Sequence, residues 1–229
     1  MNHALRMLVG LALIVPVAAG ARPSDSINAQ FGNGETERAI MPSAAAARVA
    51  EWVAETKDNH SLPYLIVDKM TASLSLFYAN GKSLGEVPVL IGIAVGDDAS
   101  PGVGNKKLAE IGPAEKTTPA GRFLAKFGLA AGKERILWVD YATSVALHPI
   151  PKDVSSKERR RERMLSPTSD DNRITFGCIN VPKAFYSRVL RPLFQKKGGY
   201  VYVLPDTKPL EVVFPGLRVQ GLMNGGARQ

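Results

Sequence analysis

With 229 residues, 45% of them hydrophobic and 22% charged, the chain is ordinary in composition, which excludes a low-complexity or fibrous protein and leaves room for one sizeable domain or two small ones. The formal net charge of +8 points to acidic partners (nucleic acid, anionic lipid or an acidic polymer) without choosing among them. One cysteine, Cys178, excludes an internal disulfide.

Met1 to Arg6 carries a positive charge, Met7 to Val17 is a short apolar run broken by Gly10 and Pro16, and Ala19-Gly20-Ala21 offers the small residues a signal peptidase needs. The run is short for a membrane span, so residues 1–21 read as a secretory signal rather than an uncleaved anchor. No other segment has the apolar length to span a bilayer. The expectation is a protein soluble outside the cytoplasmic membrane, periplasmic or otherwise in the cell envelope. Cleavage removes only Arg6 among the charged residues, so the balance stays basic. Export makes nucleic acid the poorest partner and a cell-wall polymer bearing carboxylates a better one.

Residues 22–61 divide into a polar linker without sustained period, to about 42, and a short amphipathic helix from Ser43 to about Lys57. Ser43 suits an N-cap, the alanines favour helix, and Val49, Trp52 and Val53 share a face. From Leu62 the texture turns to strands. Tyr64–Asp68 is a short apolar run, Ser73–Tyr78 alternates, Asn80-Gly81 signals a hairpin turn, and Glu86–Ile91 follows. A Gly-, Asp- and Lys-rich loop covers roughly 96–117. Pro119–Phe123 opens another strand, and 135–148 reads as two more with a turn near Ala142-Thr143. One long helix is expected over 183–197, with Phe185, Val189, Leu190 and Leu193 on one face and Gly198-Gly199 ending it. Tyr200–Leu204 makes a last strand, and 218–229 a flexible tail. The fold class is mainly β, one domain over 62–217 with one long helix and a preceding short one.

The densest chemical signal is Ile174-Thr175-Phe176-Gly177-Cys178-Ile179-Asn180. A nucleophilic cysteine needs a base and donors for the developing oxyanion. Gly177 lets backbone approach a substrate closely, and the N–H groups of Gly177 and Cys178 are the natural oxyanion donors. Count alone favours the bland alternative, since a free cysteine is commonly buried and inert. Three histidines are available as base: His3 in the signal, His60 in the linker region and His148 at the end of an apolar strand. Only His148 is placed to be held by a scaffold. The histidines, acids and single cysteine do not make a metal-ligand set, and Gly92, Gly96, Gly102 and Gly104 lack the context of a phosphate loop; no metal or cofactor is expected.

These segments resemble the L,D-transpeptidase (YkuD) family. That family carries a strand-end histidine and then Ser/Thr-His-Gly-Cys-apolar-Arg/Asn; here stand Ala146-Leu147-His148 and Thr175-Phe176-Gly177-Cys178-Ile179-Asn180. Leu65–Asp68, Ala72–Phe77 and Asn80-Gly81 are similar to its opening hairpin, and Lys116–Phe123 to its Thr-Pro-x-Gly-x-Phe strand, so that about 62–205 is covered in order. The resemblance implies a β-sandwich or barrel and a peptidoglycan stem peptide as substrate. Cys178 would attack a stem carbonyl, expel the terminal D-alanine and pass the acyl group to an amine or water, with His148 as base. Thr175, Phe176 and Asn180 would shape the substrate side, and an ion pair or coupled neutral pair of thiol and imidazole is implied. Hydrolysis by the same residues and a non-catalytic wall-binding module are the alternatives.

Two features depart from the pattern. Phe176 replaces the family's histidine before the Gly-Cys pair, and 149–173 looks like an insertion containing Ser156–Arg163. That charged stretch reads mainly as a solvated helix; the sharper reading makes it a lid whose arginines bind substrate carboxylates. Arg173, five residues before Cys178, is the arginine expected to meet such a carboxylate.

Overall fold

The computed structural model describes residues 41–130 and 134–218. The expected signal, the linker up to residue 40 and the tail from 219 lie outside the described residues. Helix α1 (Ala44–Thr56) begins where Ser43 Oγ accepts the Ala46 N–H at 3.0 Å and ends at Lys57, whose backbone is left-handed. It buries Ala46, Val49, Trp52 and Val53. Each large side chain so covered stabilises the fold by about 1.5–3 kcal/mol.

Ten strands follow: β1 (Tyr64–Asp68), β2 (Ser73–Phe77), β3 (Ser83–Pro88), β4 (Ile91–Gly92), β5 (Gly121–Leu129), β6 (Arg135–Asp140), β7 (Val145–Pro149), β8 (Arg173–Thr175), β9 (Ile179–Val181) and β10 (Gly199–Val203). Eight form one sheet in the order β3-β2-β1-β10-β5-β6-β7-β9, and β4 pairs with β8 in a second, two-stranded sheet. Neighbours are antiparallel except β1 with β10, β7 with β9 and β4 with β8. The expected mainly β class holds.

β1 and β10 read as unbroken apolar runs because both of their faces are covered. Leu65, Val67, Val201 and Val203 enter the larger core with Leu147, Ile179, Phe185 and Phe194. Tyr64, Ile66, Tyr200 and Tyr202 point the other way, onto Val49, Trp52 and Val53 of α1 and onto Phe214 and Leu217. The period of two thus builds two cores on one sheet.

Three details differ from the sequence expectation. The 183–197 helix is not a regular α-helix: Lys183–Phe185 passes through a π-helical turn, Tyr186–Leu190, into Arg191–Phe194. Pro192 has no N–H for the carbonyl four residues back, and the wider turn carries Phe185, Leu190 and Phe194 into one core. The insertion is not one solvated helix. It is a 3-10 turn (Ser156–Glu158), α2 (Arg160–Leu165) and a second 3-10 turn (Ser169–Asn172). Met164 and Asn172 pin it down, Asn172 Nδ2 donating to Val89 O at 2.7 Å.

The third detail is a buried ion cluster. Lys69 Nζ lies 3.0 Å from Asp97 and 3.3 Å from Asp206, and Asp206 also meets Arg173 at 2.7 Å. Asp97 accepts backbone N–H groups from Asp206, Thr207 and Lys208 as well as the Thr207 hydroxyl. Burial pushes the Asp97 carboxyl up, but these hydrogen bonds outweigh it and hold the group well below the usual carboxylate range.

Candidate active site

β7 delivers His148 and the loop from β8 to β9 delivers Cys178. The parallel register pairs Leu147 with Ile179 and His148 with Asn180, so Cys178 stands beside the β7 residues just before His148. His148 Nδ1 is 2.7 Å from Pro149 O. A carbonyl only accepts, so Nδ1 carries the hydrogen and Nε2 keeps its lone pair. Burial lowers the His148 pKa, the Pro149 bond and Glu134 oppose this, and the Arg160 charge adds to the lowering. Burial raises the Cys178 thiol above its usual value, with the Ala146 backbone and Arg160 pulling it partly back. Of the two implied states, these directions favour neutral thiol beside neutral imidazole. Among the described residues the hydrogen-bond acceptor of the sulfur is Ser144 O, at 3.8 Å, rather than the His148 ring.

The cysteine loop is held by two threonines. Thr175 Oγ1 donates to Cys178 O at 2.6 Å and accepts the Gly177 N–H at 3.2 Å, closing a tight turn about the cysteine. Thr118 Oγ1 accepts the Gly92 N–H at 2.9 Å and donates to Gly177 O at 2.8 Å. Gly177 has φ of +120°, and a Cβ there would stand 2.7 Å from Thr117 O; glycine is required on both counts. Because the Gly177 N–H already serves Thr175, it is not the free oxyanion donor that the sequence suggested. The Cys178 N–H is the donor that remains of that pair.

The substrate-side candidates separate. Thr175 is buried, and its hydroxyl works on the loop. Phe176 is half-exposed, with Lys116 Nζ 3.7 Å from its ring centre, a cation on an aromatic face. Asn180 is fully buried; its Oδ1 accepts from Arg160 Nη1 at 2.9 Å and its Nδ2 has no partner. Arg173 is turned to Asp206 and, at 3.5 Å, to Lys69 O, and its side chain is only 12% exposed. Its charge is therefore committed to the ion cluster. Arg160 is the arginine that reaches the Cys178–His148 region. Nothing in the charged run Arg159-Arg160-Arg161 marks Arg160 as the one whose guanidinium turns to Asn180.

The ion cluster touches the site through one residue. Lys69 Nζ donates to Thr118 O at 3.1 Å, and the hydroxyl of the same threonine holds Gly177. Lys69, Asp97, Asp206 and Thr118 were not singled out by sequence reasoning, although Thr118 lies in the Thr-Pro motif quoted above.

No family model matches the sequence, and no curated protein does. Among solved structures, the chain is similar to the catalytic domain of the Enterococcus faecium L,D-transpeptidase (16% identity, 62% of this chain and 96% of that one, TM-score 0.38). It is also similar to an L,D-transpeptidase from Xylanimonas cellulosilytica (12%, 62% and 60%, TM-score 0.37). A third is the helical cell shape determining protein of Campylobacter jejuni (16%, 69% and 55%, TM-score 0.43). At these identities and scores the functional reading rests on the site itself. Among the described residues, no helix is long and apolar enough to cross a membrane.

Proposed function

We propose that the chain is an exported cysteine acyltransferase of the L,D-transpeptidase type, acting on peptidoglycan stem peptides. The observation that carries this reading is the pairing across β7 and β9. It brings the loop of the sole cysteine next to the strand of a histidine whose Nδ1–H is fixed on Pro149 O, which supports Nε2 as the base in this reading. The motif order along 62–205 supports the same reading. Export and the cell envelope are part of the proposal and rest on the sequence of residues 1–21.

In this reading the sulfur turns from Ser144 O towards His148. Nε2 takes the thiol proton as sulfur bonds to the stem carbonyl carbon, and the carbonyl oxygen becomes an oxyanion held by the Cys178 N–H. The C–N bond to the terminal residue breaks, its nitrogen takes the proton from His148, and an acyl thioester remains. An amine from a second stem, giving up its proton to His148, then displaces the thiol and forms the cross-link.

The test is mass spectrometry of tetrapeptide muropeptides incubated with the protein lacking residues 1–21, with Cys178→Ala as control. Dimers short of one D-alanine, absent from the control, are expected. Shortened monomers would make the protein a hydrolase with the same site, and unchanged muropeptides in both samples would refute the acyl-transfer reading.

A further inference from the structure

Between Asp171 and Asp206 the sequence holds six cations and no acid. One of them, Arg173, is committed to the ion cluster. The others, Lys183, Arg188, Arg191, Lys196 and Lys197, are exposed along the helix and turn over 183–197. Among the described residues none of these makes an ion pair. Beside this basic face lies a cavity of about 360 Å³, lined by Phe127 of β5, Arg135 of β6, and Arg191, Gln195 and Lys196. That volume is at the lower end of small-ligand sites, which run from about 300 to 1,000 Å³.

The walls of the cavity are tied together. Tyr186 packs edge-on against Phe127, ring centres 6.1 Å apart, and its hydroxyl donates to Arg135 O at 3.3 Å. The Gln195 N–H donates to Arg191 O at 2.9 Å, so these two side chains stand one turn apart on one face. Arg135 is exposed and, like Arg191 and Lys196, pairs with no acid among the described residues; Glu134, its neighbour in the chain, is exposed as well. Three uncompensated cations around one hollow repel one another, and an anion among them relieves that repulsion. Their charge exceeds what a single carboxylate needs and matches a phosphate dianion, whose oxygens a guanidinium fork binds in pairs. The half-buried Phe127 ring and the Gln195 carboxamide, which both donates and accepts, suit a ring with hydroxyl edges.

We propose that this cavity is a second binding site, which takes a phosphorylated sugar: the phosphate among Arg135, Arg191 and Lys196, the sugar ring against Phe127, and its hydroxyls on Gln195. Leu137 and Leu147 enter the core together, so Arg135, two residues before Leu137, shares their face, while His148 points to the other. Neither Cys178 nor His148 takes part, and the site is tested apart from the acyl-transfer reading. Antiparallel β6 begins where β7 ends, so a phosphorylated glycan held here is anchored at the end of the sheet that presents His148.

The test is isothermal titration calorimetry of the full chain at low salt with glucose 6-phosphate, glucose and inorganic phosphate. Glucose 6-phosphate should bind more tightly than inorganic phosphate, and glucose should give no measurable heat. Arg191→Gln should weaken the sugar phosphate by about 10- to 100-fold, the range of a hydrogen bond to a charged group. Arg188→Gln, on the same helix but outside the lining, should change it by about twofold at most, as a screened surface charge does. Both side chains are exposed, so neither exchange removes packing from the core. No heat with glucose 6-phosphate would overturn the site, as would equal losses in the two variants, which mark a diffuse basic face. Equal affinity for inorganic phosphate and the sugar ester would overturn the sugar contact. Sedimentation with phosphatidylglycerol vesicles that is lost in Arg191→Gln, without binding of the soluble ester, would make this face a membrane contact and overturn the site too.

Discussion

Thr118→Val is the substitution that best separates the tether of the nucleophile loop from its packing. Valine keeps the shape of threonine and removes only the hydroxyl, which is 1% exposed with the rest of the residue. Two backbone groups lose their partner at once, the Gly92 N–H at 2.9 Å and the Gly177 carbonyl at 2.8 Å. Each buried group left unpaired costs about 1–3 kcal/mol, so a loss of about 3 kcal/mol is expected, a large part of a typical folding stability. For a chain of this size that lowers the unfolding midpoint by about 6–12 °C. Guanidinium unfolding followed by the fluorescence of Trp52, which is buried against the sheet, measures the difference. The acylation rate of Cys178 should fall about tenfold or more, because a displaced nucleophile loses its attack geometry. Thr118→Ser keeps the hydroxyl and should stay near the unsubstituted protein in both assays. A Thr118→Val protein within about 0.5 kcal/mol of the original, or a serine variant as damaged as the valine one, would refute the tether.

The pH profile of acylation offers a second check. A histidine base acts only when neutral, and burial lowers the His148 pKa, so in its proposed role the acid limb should fall below the ordinary histidine value of about 6.5. A limb at or above that value would contradict the burial of the ring. Arg160→Gln should move this limb upwards, since the guanidinium charge helps to keep the imidazole neutral. Lys69→Met removes the buried cation from Asp97, while Asp206 keeps Arg173, and the expected loss in denaturant unfolding at pH 7 is about 3–5 kcal/mol. In the unsubstituted protein the lowered Asp97 pKa stabilises the fold fully above the unfolded value of about 4, and that contribution is lost as pH falls through the folded value. The hydrogen bonds that lower the Asp97 pKa do not involve Lys69 and keep the carboxylate ionised at pH 4, so the Lys69→Met deficit should change little between pH 7 and pH 4; a deficit that vanishes by pH 4 would contradict this.

Most strands were legible because they carry a local signal, whereas the short β4, β8 and β9 carry none and were not read as strands. Ser73–Phe77 alternates, Asn80-Gly81 sets a turn, and the runs in β1 and β10 are apolar on both faces. The helix at 44–56 was legible from its cap and its stripe. Cys178, His148 and Gly177 stood out because a sole cysteine, a strand-end histidine and a preceding glycine are few enough to be noticed. The partners of Lys69 were hidden, since Asp97 and Asp206 are 28 and 137 positions further on and nothing local marks them as buried. The different placements of Arg160 and Arg173 were hidden for the same reason. Closeness in sequence to Cys178 favoured Arg173, whereas the turn preceding α2 carries Arg160 across to β9 and β8 directs Arg173 to Asp206.

The position of β10 has a consequence for how the molecule comes together. This strand, the last of the described strands in chain order, lies between β1 and β5 and pairs with both. Until residues 199–203 are available, β1 and β5 each keep an unpaired edge, and the strands on either side form two separate sheets that expose apolar rows. Closing that gap joins residues about 136 positions apart, a pairing of high contact order that folds slowly. Until residue 203 is made the nascent chain is therefore open to edge-to-edge association, and a ribosome-bound or truncated form ending before residue 199 would be a substrate for a holding chaperone.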